Sequence, residues 1–137
     1  MEPYRHTVQY YETDKMAVTH HSNYFRWMEE ARVEYLDSIG WNFVKLEESG
    51  FISPVVSVSG RFKTGCRFAD VVLITVSVTE LKGAKFTLSY KMIRESDGAL
   101  AFEGESVHCF TRENGVPVRL EREMPGLYAE LKKQMEV

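Results

Sequence analysis

Cysteine is scarce in this chain: Cys66 and Cys109 are the only two among 137 residues. Two thiols so far apart cannot build a disulfide scaffold, and they lack the paired spacing of a zinc site. Both are expected to be reduced and buried. Long apolar runs are also missing, so no segment has the length to span a bilayer. Residues 1–6 lack the basic-then-apolar order of a secretory leader, and a cytoplasmic protein is expected. No basic cluster exists and the net charge is −3, which argues against a nucleic-acid partner. A few local lysines would still suffice to hold the phosphates of a small ligand. The phosphate loops Gly-x-x-x-x-Gly-Lys and Gly-x-Gly-x-x-Gly are absent, which removes nucleotide hydrolysis and dinucleotide binding. There is no Gly-x-Ser-x-Gly elbow either, and the chain is short for an α/β-hydrolase.

What is present reads as one globular domain over residues 1–137, with 44% hydrophobic and 27% charged residues. Residues 4–11 are rich in aromatic and β-branched types and read as a strand. Residues 12–21 lack periodicity and read as a loop. From Ser22 the spacing becomes helical, with Tyr24, Trp27, Met28, Ala31, Tyr35 and Ile39 recurring every three or four residues and Gly40 as the stop. Such a helix is about 17 residues and about 25 Å long. Alternating segments at 54–64, 70–81, 85–94 and 99–112 read as strands, with turns at Lys82-Gly83 and Asp97-Gly98. A short amphipathic helix carrying Leu127, Leu131 and Met135 follows Pro125. The order predicts an α+β domain, one long helix packed on a five-stranded antiparallel sheet.

Two blocks carry chemistry. Thr13-Asp14-x-x-Ala17-Val18-x-x-His21-x-Asn23-Tyr24 precedes and enters the aromatic helix, and Phe62-x-x-Gly65-Cys66-Arg67-Phe68-Ala69-Asp70 lies between two strands. A carboxylate beside a helix start combines a proton acceptor with backbone donors that lack intrahelical partners. Taken alone, Asp14 is as readily a turn residue. Together with the element order, the two blocks resemble the hot-dog-fold acyl-CoA thioesterases of the 4-hydroxybenzoyl-CoA thioesterase type. The resemblance covers nearly the whole chain and departs at four positions. The family usually has glycine at Ala17 and Ala69, proline at Gly65 and alanine at Cys66.

The resemblance implies a hot-dog fold, a curved antiparallel sheet wrapping a long central helix, assembled as a homodimer or homotetramer with sites between subunits. It implies hydrolysis of an acyl-CoA, or acyl-carrier-protein, thioester with no metal and no organic cofactor. Asp14 occupies the position of the catalytic aspartate, as general base or as nucleophile, and the His21 amide that of the carbonyl-polarising donor. Asn23 and Tyr24 open the helix as supporting or substrate-contacting residues, and Lys63, Arg67 and Lys91 are candidates to contact coenzyme A phosphates. Three alternatives stay open at this level. A helix glutamate (Glu29, Glu30 or Glu34) would be the catalytic acid, as in another hot-dog branch. The fold would serve a 3-hydroxyacyl-thioester dehydratase or hydratase, pairing His21 with Asp14. Or the domain would bind acyl-CoA without turnover.

Overall fold

The computed structural model describes residues 2–136. Strand β1 (Tyr4–Thr7) leads through a 3-10 turn (Tyr10–Glu12) to helix α1 (Ser22–Ser38) and the short α2 (Phe43–Glu48). Strands β2 (Val55–Phe62), β3 (Val71–Lys82), β4 (Lys85–Arg94) and β5 (Leu100–Cys109) follow, then α3 (Leu120–Glu123) and α4 (Pro125–Met135). The strands form one sheet in the order β1-β3-β4-β5-β2, every neighbouring pair antiparallel. The expected α+β architecture and the hot-dog arrangement are what the chain adopts.

Helix α1 forms where the periodicity places it. Its buried positions Tyr24, Trp27, Met28, Ala31, Tyr35 and Leu36 make the apolar stripe that packs on the sheet. The facing side chains are Val72, Ile74 and Val78 of β3, Phe86, Leu88, Tyr90 and Met92 of β4, and Phe102 of β5, all buried. On the opposite face, Lys91 stands in register between Thr75 and Glu103, and Ser89 between Ser77 and Glu105. One side of the sheet is therefore core and the other polar. The inner face of β2 is an exception. Phe62 is 51% and Val58 47% exposed, because α1 lies over the other half of the sheet.

Two local readings need correction. The first strand ends at Thr7 rather than continuing to residue 11. Val8 still pairs with the chain ahead of β3, through Val8 N–H to the Asp70 carbonyl and Ala69 N–H to the Val8 carbonyl. Beyond it, Glu12 turns inward and the backbone closes into the 3-10 turn, with Glu12 N–H bonded to the Gln9 carbonyl and Thr13 N–H to that of Tyr10. Helix α2 is an element the periodicity does not announce. The Asn42 side chain caps it by accepting Lys45 N–H at 2.8 Å.

Candidate active site

Residues 13–19 make a tight hairpin. Thr13 bridges Thr19, Asp14 N–H donates to the Val18 carbonyl and Ala17 N–H to the Asp14 carbonyl, each at 2.9 Å. Asp14 is half-buried at the tip. One carboxylate oxygen accepts Met16 N–H at 2.8 Å; the other has no protein partner among the described residues. Closing the loop forces Ala17 into the left-handed region, φ +64°, a conformation that glycine adopts without penalty.

The stem of this hairpin is tied to the start of α1. The Glu12 carbonyl accepts His20 N–H at 2.8 Å and the Asn23 side-chain amide at 2.9 Å. The Glu12 side chain, only 4% exposed, anchors the turn from below. It accepts Gln9 N–H and His6 Nε2 at 2.8 Å and the Trp27 indole N–H at 2.7 Å. Burial alone would raise the pKa of this carboxyl, but those hydrogen bonds outweigh it and hold the value below the usual carboxylate range. His21 sits at the N-cap position of α1. Its backbone N–H meets no acceptor among the described residues, and its exposed ring lies edge-on to Phe62 with centroids 6.3 Å apart.

The second block closes against the first. The Cys66 carbonyl accepts Thr19 N–H at 2.8 Å and the Thr19 hydroxyl at 2.9 Å. Phe68 packs edge-on against Tyr10. A Cβ on Gly65 would lie 3.2 Å from Val18, so the departure from proline falls where the two blocks touch. Ala69, like Ala17, is left-handed, with φ +71°. Cys66 is fully buried, and burial pushes its thiol pKa up.

The other expected site residues divide. Asn23 is buried and spends its amide on the Glu12 and His20 carbonyls. Tyr24 is buried within the aromatic group of Trp27, Phe62 and Phe102, its hydroxyl pKa pushed to about 12 chiefly by burial. Lys63 and Arg67 are exposed around the second block. Lys91 points to the outer sheet face, lining a cavity of about 430 Å³ with Glu103 and Ser77 that does not include Asp14. Among the helix glutamates, Glu30 accepts the Tyr4 hydroxyl at 2.8 Å and sits 3.6 Å from His6 Nδ1, while Glu29 is exposed. Two further cavities, of about 490 Å³ beside Tyr4 and Tyr35 and about 400 Å³ beside Phe43 and Phe51, do not include Asp14 or His21. Lys15, Met16 and Ala17 of the Asp14 hairpin are exposed. Sequence reasoning missed Glu12, whose burial depends on contacts with His6 and Trp27, and also missed a buried set around His108.

Residues 8–130 match the family model for the thioesterase-like superfamily. The acyl-CoA thioesterase YbgC of Haemophilus influenzae is 27% identical over 128 residues, 91% of this chain and 92% of that protein. A hypothetical protein of Aquifex aeolicus is 31% identical with a TM-score of 0.85, covering 93% of this chain and 97% of that one. The DHNA-CoA thioesterase of Staphylococcus aureus is 28% identical with a TM-score of 0.90, covering 96% and 89%. With this fold, this pair of blocks and these relatives, the chain belongs to the thioesterase-like superfamily and is a thioester hydrolase of the hot-dog type.

Proposed function

We propose that the substrate is an acyl-CoA, or the related acyl-carrier-protein thioester, and that Asp14 and the His21 amide carry the reaction. The thioester oxygen binds at the His21 N–H, where the start of α1 favours developing negative charge. Asp14 then takes a proton from the attacking water as the water bonds to the carbonyl carbon. Alternatively, the carboxylate attacks first and water hydrolyses the resulting mixed anhydride. In the first route the tetrahedral oxyanion collapses, the carbon–sulfur bond breaks and Asp14 returns its proton to the leaving thiolate, so free acid and thiol leave. In the second the collapse expels the thiolate as the anhydride forms. The water that cleaves the anhydride then releases the acid, regenerates the Asp14 carboxylate and supplies the proton that the thiol carries away. A carboxylate, an amide and water suffice, so the scheme calls for no metal or organic cofactor. The observation that carries this reading is the His21 amide, which meets no acceptor among the described residues, at a helix start whose His20 N–H and Asn23 side chain bond the Glu12 carbonyl at the stem of the hairpin that presents Asp14.

The working unit in this proposal is a homodimer formed through β2, with further pairing to a tetramer left to experiment. Strand β2 is paired on one side only, to β5. Its residues Val55, Val56, Val58 and Phe62 are each about half exposed, as expected of an edge that requires a cover. A second copy there would supply the missing wall beside Asp14.

The test is thiol release from a panel of short, long and aromatic acyl-CoAs. Asp14→Asn is expected to lower turnover by about 10²–10⁴-fold while keeping the fold. A variant as active as wild type on every substrate would reject the assignment of Asp14. Crotonyl-CoA separates the hydratase reading, because hydration consumes the conjugated double bond without releasing thiol.

A further inference from the structure

The cavity of about 490 Å³ beside Tyr4 and Tyr35 takes no part in the chemistry above. It arises from unequal strand lengths. Strand β1 begins at Tyr4, opposite Ile74, whereas β3 continues to Lys82. Pro3 has no N–H with which to extend the pairing. The rim of β3 at Thr75 and Val76 therefore has no strand beside it on that side. The second half of α1 borders the gap with Ala31, Glu34 and Tyr35.

The lining combines three chemistries. Ala31, Ile74 and Val76 form an apolar wall, and the rings of Tyr4 and Tyr35 add aromatic surface. Glu2 and Glu34 are exposed carboxylates with no hydrogen bond or ion pair among the described residues. The lining's only cation among those residues, Arg5, is paired with Glu95. Further carboxylates crowd the tyrosines. The Tyr4 hydroxyl donates to Glu30 at 2.8 Å. Burial, then Glu30 and Glu34, push its pKa up to about 12; burial and then Glu130 do the same for Tyr35. The share of the carboxylates in both shifts marks a negative field around the cavity.

Tyr35 supplies an independent sign of a ligand. It is only 6% exposed, and its hydroxyl has no hydrogen-bond partner among the described residues. No enclosed polar side-chain atom among those residues is left unpartnered. The hydroxyl therefore reaches open space, and the space that Tyr35 lines is this cavity. An unmet hydroxyl in so buried a side chain is costly. An ammonium group can donate to its oxygen and to a carboxylate, and favours the faces of tyrosine rings. A methylene stem behind the ammonium suits the apolar wall.

We propose that this cavity is a second binding site, for an aliphatic diamine whose ammonium groups meet Glu2, Glu34 and the Tyr35 hydroxyl while its carbon chain lies along Ala31, Ile74 and Val76. Two unpaired carboxylates call for two positive charges. Strands β1 and β2 are opposite edges of the sheet, so pairing of two copies through β2 leaves the site open. The inference does not depend on the roles of Asp14 and His21.

The probe is 1,5-diaminopentane, titrated into the intact protein by calorimetry and followed through amide chemical shifts, with 1,5-pentanediol as the uncharged control. Saturable binding with Kd below about 1 mM is expected, with shifts centred on Ala31, Thr75 and Val76. Glu34→Gln and Tyr35→Phe should each weaken binding by about 10-fold, the worth of one hydrogen bond to a charged group. Glu105→Gln removes the same charge from the outer sheet face and should change Kd by less than about 2-fold, because solvent screens so distant a charge. A Kd above about 1 mM, a diol that binds as tightly, or shifts centred elsewhere overturns the inference. So does binding that neither Glu34→Gln nor Tyr35→Phe weakens. Equal losses in Glu34→Gln and Glu105→Gln overturn it too, since the diamine would then be responding to the net charge of −3. The wild-type shift map decides even where a variant fails to fold.

Discussion

Replacing Gly60 with alanine would put a methyl carbon where the Phe102 ring already lies. The new Cβ would stand 2.1 Å from Cζ and 2.4 Å from Cε2 of that ring, against ordinary contacts of about 3.5–4.0 Å. More than 1 Å of movement is therefore required. Phe102 has little room to give it: the ring is fully buried, stacked on Tyr24 at 5.1 Å and held by Phe62 and Phe25 at 5.3 and 6.1 Å. Overpacking of this kind costs about 1–3 kcal/mol. The lower backbone entropy of alanine in a strand offsets about 0.5–1 kcal/mol of it. A net loss of about 1–2 kcal/mol should lower the urea midpoint by about 0.5–1 M at unchanged slope. Midpoints should be compared at one protein concentration, since self-association shifts them. The cause is tested by a double-mutant cycle with Phe102→Leu, which removes the ring and should shrink the increment from Gly60→Ala below about 0.5 kcal/mol. A Gly60→Ala protein as stable as wild type, or an equal increment in both backgrounds, would refute the reasoning.

Ala17→Gly and Ala69→Gly should each stabilise the protein by about 0.5–1 kcal/mol in thermal melts, because both positions are left-handed and relief of strain exceeds the added chain entropy. Glu12→Gln keeps the shape of the anchor but turns an amide N–H₂ toward a donor. A loss of about 1–3 kcal/mol follows, read by urea denaturation at neutral pH. Because the Glu12 pKa is depressed in the fold, its contribution is present above the unfolded carboxyl value and lost as pH falls through the folded one. The stability gap between wild type and Glu12→Gln should close in acid. His108 stays neutral in the fold down to about pH 3, whereas the unfolded chain takes up that proton near pH 6.5. Stability should fall as pH drops from about 6.5 toward 3, and His108→Gln should remove that part of the slope.

Local pattern determined much of what the sequence made readable. The apolar spacing of Tyr24, Trp27, Ala31 and Tyr35 located α1 within a residue of its ends. Gly83 and Gly98, both left-handed, sit in the turns where the dipeptides predicted them. Asp14 and His21 stand out through a block of fixed spacing, and Ala17 and Ala69 are positions where the resembled family usually has glycine. The remainder depended on contacts between distant segments. A carboxylate at position 12 reads as exposed until His6 and Trp27 are known to converge on it. Arg32 and His108 are 76 residues apart, and no local periodicity links a helix cation to a strand imidazole. Lys91 is a candidate phosphate contact by its charge, and strand alternation assigns it to the outer face.

The two rims of the sheet are unequal. At one end β1 offers four residues, among them Arg5 paired with Glu95; at the other β2 offers eight, mostly valine and serine. Joining two copies along β2 would consume the long rim of each and leave only the short, charged rims outward. Growth by further strand addition would then stop at two chains, so the same feature that invites association also guards against fibres.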